Sequence, residues 1–167
     1  MELLASFETA FAKLREELGF KATLDKLDEI FFIRDAIQRE RFVSTSLSRQ
    51  VCHRIADLFN SWSGYLHNLI VPPPGNMILA AESGLFSEDE KAYFIQTMNK
   101  FMAHTSKNGL VGLTKDKTAE AAYIDESISL WNETKPLLVS VLTTTNAYWT
   151  KQGTKLPRKQ KQETYFN

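Results

Sequence analysis

An all-α fold, specifically an antiparallel bundle of four to five long helices, is predicted by three observations. The stretch from Ser44 to Val71 keeps a helical period throughout. Val51, Ile55, Leu58, Phe59, Trp62, Leu66 and Leu69 share one face of it, with Leu47, Cys52, Tyr65 and Ile70 at the edges. That arc covers nearly half the circumference, which suits a central helix packed on several neighbours rather than one strand of a two-stranded coiled coil. Helix start and stop signals punctuate the rest of the chain. Finally, 167 residues with 43% hydrophobic content suffice for one domain with its own core, without metal or disulfide staples.

Taken in order, Leu3, Leu4, Phe7, Phe11, Leu14 and Leu18 step by three and four, predicting an amphipathic helix over 2–18 closed by Gly19. Thr23 caps the next, in which Leu24, Leu27, Ile30, Phe31, Phe32, Ile33 and Ile37 spread over more than half the circumference. The cluster Ser44-Thr45-Ser46 marks a break near residue 43, with a single bent helix through 23–71 as the alternative. Pro72-Pro73-Pro74-Gly75 ends the central helix, because consecutive prolines lack amide donors and restrict their predecessors.

Asn76 then caps a short helix over Met77–Ser83, and Ser87 with Glu90 forms a capping box for a long one seamed by Phe94, Ile95, Met98, Phe101 and Met102. Lys107-Asn108-Gly109 reads as its end, with 109–116 as a connector. From Thr118 the residues Ala121, Ile124, Ile128, Trp131, Leu138, Leu142 and Trp149 keep phase across Pro136, predicting one last helix kinked there. The domain expected is 1–153, followed by a basic tail, 154–167.

Twenty bases balance twenty acids, but five of the bases and only one acid fall in the last 17 residues. The body is therefore mildly acidic, and attraction to nucleic acid is expected only through Lys151, Lys155, Arg158, Lys159 and Lys161, with Tyr165 and Phe166 following. The start of the chain mixes charges among its apolar residues, unlike a secretory signal, and no apolar run approaches the roughly 20 residues of a membrane span. A cytoplasmic protein without a membrane segment is the expectation, and Cys52 reads as a small buried hydrophobe.

Catalytic signatures are sparse. There is no Glu-x-x-His pair, no His-Glu-x-x-His, no paired cysteine and no phosphate loop, so no metal or cofactor is assigned. Arg49, His53, Asn60 and His67 lie within about 40° on the polar side of the central helix. His53 and His67 would stand about 21 Å apart and cannot share an ion. His53 with Asp57 could supply two ligands, and two more would have to come from other helices. Arg34 and Lys135 interrupt apolar seams, so each either follows an apolar surface to solvent or needs a counter-charge such as Asp57, Asp125 or Glu126, or an anionic ligand.

The ligand-binding candidates are thus Arg34, Arg49, His53, Asp57 and Lys135. Phe31, Phe32 and Ile33 are the candidates for a partner interface, since they place bulky groups on three sides of one helix. The function expected is protein–protein association, as a homodimer or helical adaptor. A nucleic-acid accessory role through the tail, and an enzyme or ligand-binding bundle around Arg34 and His53, are the competing classes.

Overall fold

The computed structural model describes residues 2–153, and over these the chain is all-helical, with seven helices and no strand. They are α1 (Glu2–Leu18), α2 (Leu24–Phe31), α3 (Ile33–Glu40), α4 (Leu47–Ile70), α5 (Met77–Ser83), α6 (Glu88–Thr114) and α7 (Lys117–Gly153). None is long and apolar enough to cross a membrane. Lys155, Arg158, Lys159 and Lys161 lie outside the described residues, as does the tail itself. Residues up to Thr134 form one compact unit, and residues 135–153 of α7 belong to a second one.

In the first unit α1 buries Phe7 and Phe11, the two residues on its predicted seam that are fully enclosed. Gly19 takes φ 68° and its amide donates to the Arg15 carbonyl at 2.9 Å, which closes the helix as a glycine in the left-handed region does. The short link to α2 is pinned from far along the chain. The Asp125 carboxylate on α7 accepts the amides of Lys21 at 2.9 Å and Ala22 at 2.8 Å, while Phe20 sets its ring edge-on to Phe11. Thr23 caps α2 through the Lys26 amide.

Residues 23–71 form three helices rather than one or two. Phe32 breaks the second predicted helix at φ 53°, serving as both the C-cap of α2 and the N-cap of α3. Neither glycine nor proline is present. Side-chain bonds accompany the break: Asp28 accepts the Arg34 amide at 2.7 Å, placing a carboxylate at the positive end of α3, and Arg54 of α4 donates to the Phe31 carbonyl, freed by the end of α2, at 2.9 Å. Rotation at Phe32 then lets Phe31 and Ile33 both face the core, 0% and 1% exposed, which a continuous helix could not do.

Helix α4 is the centre of the unit, as its sequence predicts, and it packs most extensively against α6. Phe59 joins the layers, with its ring 5.8 Å from Phe31 and 5.0 Å from Phe101. Asn76 caps α5 through the Leu79 amide, and the capping box at Ser87 is complete in both directions. The Ser87 amide and hydroxyl hydrogen bonds hold the Glu90 carboxyl below its ordinary range. The expected end of α6 at 107–109 is corrected: the helix continues through Gly109 and Gly112 to Thr114, leaving only Lys115 and Asp116 as a connector. Asn108 and Val111 are buried, and that burial outweighs the weak helix propensity of the two glycines.

In the second unit residues 135–153 remain helical with Pro136 inside the helix, and the hydroxyls of Thr143, Thr145 and Thr150 donate to carbonyls four residues back.

Phe32, Arg41 and Lys115 all occupy the left-handed region without being glycine. Arg41 closes α3 at φ 59° and is exposed, so Arg41→Gly is expected to relieve backbone strain and raise stability by about 0.5–1 kcal/mol, or roughly 2–4 °C per kcal/mol in Tm. Thermal denaturation checks this; an unchanged or lowered midpoint contradicts it.

Candidate functional site

Among the described residues, the charged side chain most deeply buried lies on α7. Glu120 is 1% exposed and sits against α4 and the lysine one turn earlier. Its Oε2 accepts from Lys117 Nζ at 2.8 Å and from the Ser48 hydroxyl, which in turn accepts from Lys117 at 3.0 Å. Arg49 brings its Nε to 3.8 Å from Oε1 and donates through Nη2 to the Asn108 carbonyl of α6 at 3.3 Å. Burying a carboxylate requires such opposite charge, and here two cations from two helices provide it. Cys52, one turn along α4, directs its thiol at the Glu120 carbonyl, and burial pushes that thiol up to about 12. It is a packing residue and not a nucleophile at neutral pH.

Gly112 makes this arrangement possible. A Cβ at that position would stand 2.8 Å from Arg49 Nη2, so a side chain there would require the guanidinium to shift.

A second buried group lies between α6 and α7. His104 stacks on Tyr123 with ring centroids 4.2 Å apart, meets Phe59 edge-on, and places Nε2 2.7 Å from the Ser127 hydroxyl. Ser127 donates its own proton to the Tyr123 carbonyl at 2.6 Å, so its oxygen accepts from His104 Nε2–H, leaving Nδ1 as the unprotonated nitrogen. The pair has the spacing of a nucleophile and base but not the function. Ser127 is 0% exposed and its hydroxyl proton is committed to the backbone. Burial pushes the His104 pKa down to about 4 and holds the Tyr123 phenol well above its ordinary value.

Of the ligand-binding candidates, three come together. Arg49, His53 and Asp57 line one cleft of about 420 Å³ with Glu40, Gln50 and Arg54, beneath the 41–46 loop. Gln50 shapes that loop by accepting the Ser44 amide at 2.9 Å and donating to Glu40 and the Phe42 carbonyl. Because Arg49 Nη2 can only donate, its 3.4 Å contact makes His53 Nε2 the acceptor and puts the imidazole proton on Nδ1.

Arg34 is elsewhere. It bonds Asp25 at 2.7 Å, Glu8 at 2.9 Å and Asp28 at 3.1 Å, which raises its pKa further, so its counter-charges are these local acids and not Asp57, Asp125 or Glu126. Lys135 is exposed and belongs to the second unit. No group of three His, Cys, Asp or Glu side chains able to hold a metal occurs among the described residues.

The three interface candidates differ in exposure. Phe31 and Ile33 are core residues, and only Phe32, 50% exposed, reaches the surface. A longer surface lies on α6. Phe94, Thr97, Phe101, His104, Asn108 and Val111 face inward, while Lys100 and Lys107 turn toward α7 to pair with Glu133 and Glu126. The outer side between Lys91 and Lys115 then consists of Ala92, Ile95, Asn99, Met102, Ser106, Gly109, Leu110 and Leu113, all exposed and none charged. It is about 32 Å long at 1.5 Å per residue. Outer faces of surface helices ordinarily carry the charge.

Two predictions follow from this geometry. Gly109 has open space around it, so Gly109→Ala should stabilise by about 1 kcal/mol, whereas Gly112→Ala should lose that gain by displacing Arg49 from Glu120. Chemical denaturation of the pair tests it; equal gains would show that Arg49 is free to move. The second concerns pH. His104 binds its proton less readily folded than unfolded, so between its ordinary pKa and about 4 the unfolded chain holds more protons. Its contribution is present above pH 6.5 and is lost as pH falls toward 4, with an upper bound of about 3 kcal/mol. His104→Gln, which retains a donor for Ser127, should flatten the stability profile over that window; an unaltered slope refutes the assignment.

No protein-family model matches this chain, and neither a curated protein nor a solved structure is found to be similar to it.

Proposed function

We propose that this chain is a protein–protein association module whose partner is a second copy of itself, paired through the outer face of α6. The observation that carries the reading is the absence of charge along that face from Ala92 to Leu113, with Ile95, Met102, Leu110 and Leu113 exposed. Ala92, Ile95, Asn99, Met102, Ser106, Gly109 and Leu113 step by three and four, which is the seam of a helix pair.

Charge selects the orientation. Glu88-Asp89-Glu90 occupy the first turn and Lys115 caps the other end, so an antiparallel copy sets opposite charges and opposite dipole ends side by side. In that orientation Ile95 faces Ser106 and Met102 faces Asn99, a large residue against a smaller one each time, while Ala92 faces Gly109, where two small residues let the helices come close. A two-fold interface of this kind is self-complementary by construction. An enzymatic reading gains no support from Cys52 or Ser127, both enclosed and committed to structural bonds.

Sedimentation of the full chain at tens of micromolar tests the proposal, a concentration at which a micromolar complex is mostly associated. The wild type is expected as a dimer and Met102→Glu as a folded monomer, because each copy would bury a carboxylate against Asn99 near the centre of the seam, with no cation to pair it. Phe32→Glu should leave the dimer intact. A monomeric wild type, or a dimer broken by Phe32→Glu and indifferent to Met102→Glu, overturns it.

A further inference from the structure

The cleft between α4 and the 41–46 loop holds two opposite charges that do not pair with each other. Arg54 and Asp57 are three residues apart on α4, on adjacent turns where such side chains normally meet. Here Arg54 is drawn back: its Nε is spent on the Phe31 carbonyl at 2.9 Å, and its two terminal nitrogens have no acceptor among the described residues. The exposed Asp57 carboxylate accepts no hydrogen bond and makes no ion pair among the described residues.

The walls repeat this polarity. The Nδ1–H of His53 extends the donor side, and the second oxygen of Glu40, whose first is held by Gln50, extends the acceptor side. Phe42 closes one edge with an exposed ring. A space of about 420 Å³ with a donor side, an acceptor side and an aromatic edge is built for a small amphoteric molecule. A simple anion would meet two carboxylates, and a simple cation two guanidinium groups.

We propose that this cleft binds a free α-amino acid, its carboxylate taken by Arg54 and His53 and its ammonium by Asp57 and Glu40. The guanidinium receives the carboxylate through paired N–H donors, the geometry in which arginine binds carboxylates best. The side chain of the ligand then lies toward Phe42. The site is separate from the α6 face and stands or falls independently of the association reading.

Titration of the full chain with individual free amino acids, followed by NMR shifts of the His53 and Arg54 side chains, tests this at ligand concentrations up to about 10 mM, sufficient for millimolar affinity. At least one amino acid should bind, and its N-acetyl and carboxamide forms should each bind at least about tenfold more weakly, since each removes one charge-assisted contact. Asp57→Asn should weaken binding to a similar degree with unchanged thermal stability, because Asp57 has no structural bond to lose through its carboxylate. Absence of any saturable shift with every amino acid overturns the proposal. So does equal binding of the blocked derivatives.

Discussion

One carboxylate governs the interior of this protein. Glu120 comes from α7, its counter-charges come from α4 and from its own preceding turn, and the backbone of α6 holds the arginine in place. A buried carboxylate is stable only while these partners stay put, since loss of one partner from such a group typically costs about 3–5 kcal/mol. Apolar packing would tolerate small slides of one helix along another, but an ion pair with hydrogen bonds does not. The cluster therefore ties three helices together, and Gly112 leaves room for its arginine.

Aromatic packing supplies the rest of the core. Phe31, Phe59 and Phe101 form a continuous series of ring contacts, and His104 joins it as a neutral ring stacked on Tyr123. Histidine in this position behaves as an aromatic with one hydrogen bond to satisfy. The surface has a corresponding division: charges gather at the cleft and along the α6–α7 seam, leaving the outer side of α6 bare.

Much of the local structure was legible in the residues. Gly19, Thr23, Asn76 and the Ser87–Glu90 box each act as their types and spacings imply, because a cap is made by atoms close in sequence. The break at Phe32 was not legible: it depends on Asp28 and Arg54 satisfying backbone groups that a continuous helix would have satisfied itself. Gly109 reads as a terminator because glycine usually is one, with Gly112 in the connector beyond it, and the nearness of a distant arginine to Gly112 leaves no local trace. Arg49, His53 and Asp57 were found together because helical phase on one helix is visible in sequence, while Arg34 and Lys135 required knowledge of which helices meet. Glu120 was missed for a simpler reason. A search for apolar periodicity passes over a carboxylate, although Glu120, Ile124 and Ser127 step by four and three along one buried line.

The bond between Asp125 and the amides of Lys21 and Ala22 joins parts of the chain more than a hundred residues apart. On a ribosome, α1 and its link to α2 emerge long before α7, so those amides have only water as a partner during most of synthesis. Both helices can pack on α4 before then, but the two amides of the link gain their carboxylate only when α7 arrives. The link between α1 and α2 thus depends on a partner made much later, whereas α1 itself packs on α3 and α4.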